Sequence, residues 1–543
     1  MSTRRDLFRM ALAGSAAMPA SALGLFSAKA DTPGERAEAT NWARGIEGQR
    51  RADLGDGTFL NPILAGDHPD PSILKDGDDY YMTHSSFEAS PGLLIWHSRD
   101  LVNWTPLCTA LEKPPGMVFA VDLIKHKDRY YIYIPFLKVP WATTLPAPIN
   151  IYVIHAPSIT GPWSAPIDLG LRGMIDPGHL VGEDGHRYLF LSGIRRVRLS
   201  DDGLSTIGPV EKVYDGWRYP DDWITEAYAL EGPKLLRRGD WFYLISAVGG
   251  TAGPPTGHMV IAARSRSVHG PWENCPHNPI VRTTDANERW MSRGHATLVC
   301  GPGDQWFMVY HGYENGYRTL GRQTLMEPVE WTEDGWFKAT GGDLAHPLRK
   351  PLNIPSAPHG VARSDDFSKP SFGSRWSFYA GGPNEIERAS LTKGGLVMRG
   401  KGNGPHDCSP LTQIAGDHAY EISVTVALDG KGEAGLLLFF NDRLFLGLGI
   451  NGERMKTYNG GKESHWREPA PAVNRLHLRI TNNRHIVTYY YSLNGTDWIR
   501  HGVRAETSGY HANTIGDLAS LRPALFAAGQ GSATFSDFRY RAL

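Results

Sequence analysis

The hydrophobic pattern of the 543-residue chain is that of strands, and it repeats. A short aromatic run behind a Gly, Asp or Lys turn recurs five times: Asp79-Tyr80-Tyr81-Met82, Arg129-Tyr130-Tyr131-Ile132, Arg187-Tyr188-Leu189-Phe190, Trp241-Phe242-Tyr243-Leu244 and Gln305-Trp306-Phe307-Met308. Anchored on Tyr81, Tyr131, Tyr188, Tyr243 and Phe307, the copies lie 50, 57, 55 and 64 residues apart. A second marker trails the first at Asn103-Trp104, Pro162-Trp163, Pro271-Trp272 and Glu330-Trp331, with a weaker Gly208-Pro209 in the third copy. Units of roughly 50–60 residues made only of strands and turns predict a β-propeller of four-stranded blades, and five copies predict five blades over 57–350.

After Arg349 the pattern changes. Residues 351–363 are Pro-rich and read as a linker. From Asp365-Asp366-Phe367 onward, apolar and polar positions alternate over 421–427, 476–480 and 486–490. Asn494-Gly495 between Tyr489-Tyr490-Tyr491 and Trp498 signals a hairpin. Residues 364–543 are therefore expected to form an antiparallel β-sandwich. Long helical periodicity is absent from both regions, so the fold class is all-β.

The repeat also gives a phase for the ionisable residues. Asp70 lies 11 residues before its anchor and Asp122 lies 9 before; Asp176, Glu231 and His295 each lie 12 before. Inner strands of a propeller line a common axis, so these five positions should converge on one funnel. Carboxyls crowded there shift apart in pKa, which keeps one protonated near neutrality while another stays ionised. Asp70 has the most rigid setting, in Asn61-Pro62-Ile63-Leu64-Ala65-Gly66-Asp67-His68-Pro69-Asp70-Pro71-Ser72. Two prolines stiffen the path around it, and Pro71 biases it towards extended backbone. An acid and a base held in one funnel are what glycoside hydrolysis requires.

Composition narrows the function classes. The formal net charge is −1, which offers no basic footprint for nucleic acid. Ser2-Thr3-Arg4-Arg5-Asp6-Leu7-Phe8, an Ala-rich run and Ala28-Lys29-Ala30 read as a twin-arginine export signal over 1–30, with residues 31–56 a tether. The apolar run is short and broken by Pro19, so no membrane span is expected once the signal is cleaved. The expected location is the periplasm or the exterior. Cys108, Cys275, Cys300 and Cys408 have no metal-type spacing and are expected to be free. Nothing in the chain points to a particular oligomeric state.

These motifs, in order, resemble glycoside hydrolase family 43. The resemblance runs over 57–350 and rests on Asn61-Pro62-Ile63-Leu64, His68-Pro69-Asp70-Pro71-Ser72, Ser98-Arg99-Asp100-Leu101, Ile175-Asp176-Pro177, Leu230-Glu231-Gly232-Pro233, Gly294-His295-Ala296 and Gly321-Arg322-Gln323-Thr324. It implies a five-bladed propeller that inverts the anomeric centre. Asp70 would be the general base, Glu231 the general acid and Asp176 the carboxylate that orients the acid. It implies a carboxyl separation of about 6.5–9.5 Å. Arg322 would contact the sugar. His295 matches a histidine that in some relatives helps hold a metal ion through water, so a structural Ca2+ near His295 is admitted although no cofactor is required.

Asp122 reads as a hydrogen-bonding or subsite residue. Trp96 and Phe136, with Trp141, are candidate sugar-stacking aromatics, with blade packing the competing reading. The C-terminal region resembles, more loosely, the concanavalin-like sandwich of β-xylosidase and arabinofuranosidase members, where it would brace the propeller or lend a loop to the pocket. Asp-Pro-Gly in the third blade and Phe119-Ala120-Val121-Asp122 in the second depart from the family's commoner motifs, and both touch pocket walls. The expected activity is release of terminal xylosyl or arabinofuranosyl units from hemicellulose-type oligosaccharides. A non-catalytic carbohydrate-binding propeller and a propeller hydrolase acting on fructosides or galactofuranosides are the alternatives.

Overall fold

A computed structural model describes residues 41–355, 357–464 and 471–543. The expected export signal, and residues 31–40 of the expected tether, lie outside the described residues. Five antiparallel sheets surround one axis. Their innermost strands are Ser72–Asp76, Asp122–His126, Gly178–Val181, Glu231–Arg238 and Trp290–Cys300, each touching the next around the ring. The aromatic anchors all fall in the second strands: Asp79–Thr83, Arg129–Leu137, Arg187–Leu191, Trp241–Val248 and Trp306–Glu314. The tryptophan markers fall where the third strand of a blade gives way to the fourth. Trp104, immediately before Thr105–Leu111, is fully buried and donates its indole N–H to Leu101 O at 2.8 Å. Each repeat is thus one blade, and both markers pack at fixed register within it, Trp104 buried and Trp163, Trp272 and Trp331 half-buried against the core.

A ring of blades needs a seam, and here the two ends of the propeller make it. Thr58–Phe59 pairs with Leu348–Arg349, and Leu64 bridges to Thr324 of the fifth blade. Asn61 completes the seam, its side chain exchanging hydrogen bonds with Met326 N and O at 2.8 and 2.9 Å.

The C-terminal region folds as a sandwich of an eight-stranded and a seven-stranded sheet around one apolar core. The alternating segments lie on neighbouring strands, Ala419–Asp429, Arg475–Asn483 and Ile486–Ser492. The expected hairpin forms between Ile486–Ser492 and Ile499–Glu506, through a longer connection than Asn-Gly alone requires. Asn494 Oδ1 accepts from Thr496 N and Asp497 N, at 3.0 and 2.9 Å, and so rounds the turn with its side chain. One edge strand of the eight, Ala89–Ser90, comes from the propeller, paired with Ser377–Tyr379. The four cysteines are free.

The tether reading fails for residues 43–53. Ala43–Arg44 pairs with Arg50–Arg51, and Arg50 is buried where clasp, fifth blade and sandwich meet. Its guanidinium donates to Glu314 Oε2 at 2.8 Å, Gln323 Oε1 at 2.8 Å and Gly416 O at 2.7 Å, while its N–H meets Asp417 Oδ1 at 2.8 Å. Glu314 also faces His418 Nε2 at 3.0 Å. Burial would raise the Glu314 carboxyl, but Arg50 and His418 outweigh it and hold the group well below the usual range. The linker is likewise docked, with Gly360 N on Trp104 O at 2.7 Å. Removing one partner of a buried ion pair leaves an uncompensated charge. Arg50→Met is therefore expected to destabilise the folded protein by about 3 kcal/mol, measured by denaturant unfolding. A loss below about 1 kcal/mol would show that Arg289, Gln323 and His418 carry Glu314 without Arg50.

Candidate active site

Asp70 sits on the seam, at the head of the first inner strand. Its backbone is left-handed, with φ 55°, not extended as Pro71 alone would favour. Aspartate tolerates this region better than most residues, and partners on three sides hold it there. Ser85 Oγ donates to Oδ2 at 2.5 Å and Arg322 Nη1 to Oδ1 at 3.1 Å. His311 Nδ1 lies 3.1 Å from Asp70 N and 3.0 Å from Oδ1. Asp176 and His295, two other in-phase residues, are also left-handed, with φ 56° and 59°. The shared conformation turns these side chains from the strand direction towards the axis.

Burial would raise the Asp70 carboxyl, but Arg322, His295 and His311 outweigh it, and the group lies well below the usual carboxylate range. Glu231, first residue of the fourth inner strand, goes the other way. Burial, then the charges of Asp70 and Glu226, push it up to about 8. Asp176 is also pushed well up, by burial and then by Glu231 and Asp70, while it accepts Gly232 N at 3.0 Å. Two imidazoles connect the opposed carboxyls. Glu231 Oε1 lies 3.2 Å from His258 Nε2; His258 stacks on His311 at 5.2 Å; and His311 touches Asp70. Burial drives His258 down to about 4 and His311 well below its usual value, so both rings are neutral at pH 7. Gly294 makes room for this pair, since a Cβ there would lie 2.2 Å from His258 Nδ1.

Arg322 reaches the axis as expected, and its buried Nη2 has no hydrogen-bond partner, a donor available to a ligand oxygen. His295 also reaches it, with Nδ1 3.5 Å from Asp70 Oδ1. For Asp122, Phe136 and Trp96 the structure takes the hydrogen-bonding and packing readings and not the substrate-binding ones. Asp122 is spent on structure: Oδ1 takes Lys234 Nζ at 2.6 Å and Oδ2 takes His179 N at 2.7 Å, stitching three inner strands together. Phe136 is fully buried in the apolar core of the first two blades. Trp96 is buried in the seam-side core, edge-on to His68 at 5.4 Å. Both aromatics point between sheets rather than into the cavity.

Ser85, His311 and His258 were not anticipated from sequence. A second phase was legible for two of them. Ser85 and His311 each lie four residues after an anchor, as does Ser192, which lines the same cavity. His258 has no such register and is found only through its contact.

The cavity above Glu231 measures about 450 Å³. Its walls come from four blades, from the 213–230 connection and from the sandwich, through Ala512, Gly516 and Leu518. The sandwich also grips the Asp70 stretch. Arg522 pairs with Asp67 at 2.7 Å, and Gly66, with φ 91°, lies so close that a Cβ would sit 2.6 Å from Ile414 Cγ2. An ionised carboxylate and a protonated carboxyl in one buried cluster can remove a proton from one reactant while giving one to another.

Sequence and structure comparisons bear on the fold and the family. Residues 59–337 match the family model of glycosyl hydrolases family 43, and 364–541 that of the beta xylosidase C-terminal concanavalin A-like domain. A xylan 1,3-beta-xylosidase of a Vibrio species is 29% identical over 82% of this chain and 90% of its own. A non-reducing end alpha-L-arabinofuranosidase of Bacteroides ovatus is 28% identical over 90% of this chain and 96% of its own. The crystal structure of the family 43 protein BlXynB of Bacillus licheniformis superposes with a TM-score of 0.78 at 27% identity, covering 90% of this chain and 100% of that one. The chain is a glycoside hydrolase, and it belongs to glycosyl hydrolases family 43.

Proposed function

We propose that the enzyme is exported and removes terminal pentosyl units, β-D-xylosyl or α-L-arabinofuranosyl, from hemicellulose-type oligosaccharides with inversion. The observation that carries this reading is the opposed protonation of Asp70 and Glu231, joined through His311 and His258, with Glu231 on the cavity. Glu231 gives its proton to the leaving glycosidic oxygen. Asp70 takes a proton from the water that attacks the far face of the sugar. Asp176 accepts Gly232 N–H and so orients the turn that carries Glu231. Arg322 keeps Asp70 ionised and offers Nη2 to a sugar hydroxyl. A binding protein without catalysis would have no use for the protonated carboxyl. The pentose preference is supported by the named activities of the relatives, and export by Arg4-Arg5 and Ala28-Lys29-Ala30.

His295 Nε2 is buried without a hydrogen-bond partner, the one feature that would suit a cation held through water. No group of three or more His, Cys, Asp or Glu side chains suited to a metal ion occurs among the described residues. Calcium favours several oxygen ligands, so this donor set does not make a protein-ligated calcium site.

The expected outcomes concern the acid, its charged neighbour and the brace behind the base. In the wild type, kcat/KM on pentose oligosaccharides falls as pH rises through about 8, because Glu231 must be protonated. That limb moves to lower pH in Glu226→Gln, which removes one of the charges holding the proton on. Glu231→Ala lowers kcat by roughly 10²–10⁴ on oligosaccharides, and far less on substrates with a strongly acidic aryl leaving group. Unimpaired oligosaccharide turnover in folded Glu231→Ala would remove Glu231 as the acid, and NMR of the first-formed anomer checks inversion. Gly66→Ala, remote from any substrate, is expected to lower kcat/KM about tenfold or more by shifting Asp70. Full activity in that variant would show that the sandwich does not position the base.

A further inference from the structure

One wall of the cavity carries an excess of positive charge that pentosyl hydrolysis does not use. Lys138 follows the second strand of the second blade, Arg195 and Lys212 lie on the third blade, and Arg218 lies on the 213–230 connection; all four are exposed and line the cavity. Arg195 and Lys212 are direct partners across adjacent strands. Like charges in that position disfavour the sheet. Lys212 is answered by Asp215. Arg195 makes one weak bond, to Ser192 O at 3.1 Å. Among the described residues, Lys138, Arg195 and Arg218 make no ion pair. Asp215 is the one carboxyl on this wall, set against four cations; the other cavity carboxyls lie elsewhere, Glu88 on the first blade's side, Glu231 on the fourth blade, and Glu226 folded onto Ala252 N at 2.9 Å.

The wall is also built rather than loose. The Arg218 guanidinium lies 3.6 Å from the Tyr228 ring centroid, which fixes its plane. The Tyr228 hydroxyl reaches the carbonyl oxygens of Asp215 at 3.1 Å and Trp217 at 3.2 Å, pinning the connection. Gly216 makes this possible, since a Cβ there would sit 2.2 Å from that hydroxyl. A guanidinium held flat with free N–H donors is the preferred partner of a carboxylate.

On the pentosyl-hydrolase reading the released sugar lies against Glu231, and the rest of the chain extends into the cavity that this wall lines. We propose that the wall formed by Lys138, Arg195, Lys212 and Arg218 is a leaving-chain subsite for a carboxylate-bearing saccharide, a uronic acid carried on the oligosaccharide. A neutral chain leaves Arg195, opposite the already paired Lys212, without an ion-pair partner, whereas a uronate placed against Arg195 and Arg218 supplies one. This rests on the pentosyl-hydrolase reading of the floor.

The test uses the full chain with Glu231→Gln, so that ligand persists. Calorimetry compares xylotetraose with xylotetraose bearing one glucuronic acid, at low and at high sodium chloride. The acidic sugar is expected to bind about tenfold tighter at low salt, with the advantage shrinking to about twofold as salt screens the charges. Adding Arg195→Gln and Arg218→Gln is expected to abolish the preference. Equal or weaker binding of the acidic sugar at low salt, or a preference that survives both substitutions, overturns the proposal. The salt series needs no change to the wall, so it decides the matter even if the double variant folds poorly. Failure of the parent reading is separate: it would show as wild-type enzyme that turns over no aryl pentoside.

Discussion

The bond from Arg322 to Asp70 crosses the seam between the last blade and the first, and the rest of the structure is arranged to keep that crossing in place. A propeller has no covalent ring. Its closure depends on contacts between segments far apart in sequence, and here they lie more than 250 residues apart. The same contact that helps shut the ring holds a buried carboxylate ionised. Closure and chemistry therefore cannot be separated: a seam that opened would cost the enzyme its ionised carboxylate as well as its fifth interface.

The sandwich belongs to this arrangement rather than hanging from it. It grips the Asp70 stretch through Arg522 and Asp67 and through the close approach at Gly66. It takes a propeller strand into its own sheet and lends three residues to the cavity wall. The Arg50 knot adds the N-terminal clasp to the same interface. Such a buried polar network is costly to desolvate and tolerates few alternative arrangements, which suits a joint that must hold one register. Bracing the propeller and contributing to the pocket, alternatives on the sequence pattern, are both roles of the second domain in the structure.

Much of the fold was legible because propeller register is periodic. Anchors 50 to 64 residues apart mark second strands, and counting back from them finds Asp70, Asp176, Glu231 and His295 at one axis. The same count also returned Asp122, which lies in phase but is consumed by Lys234. Phase says where a side chain points and not what meets it there. Trp96 and Phe136 failed for a related reason: an aromatic on a strand has two faces to choose from, and without the neighbouring sheet the buried face cannot be told from the cavity. The residues beside them that do reach the cavity, Phe119 and Leu137, carry no stronger sequence signal.

Sequence alone determined the all-β class, the number of blades, the change of fold after Arg349 and the ring of acids, since each follows from local strand pattern and its period. Only the tertiary structure decided the conformation of Asp70, the imidazole pair between it and Glu231, the burial of Arg50 and the contribution of the sandwich to the cavity. Those features arise from contacts between segments unrelated by any repeat. The energy that holds Asp70 in a left-handed backbone against the bias of Pro71 comes from Ser85, His311 and Arg322, and no local pattern records which of them will meet it.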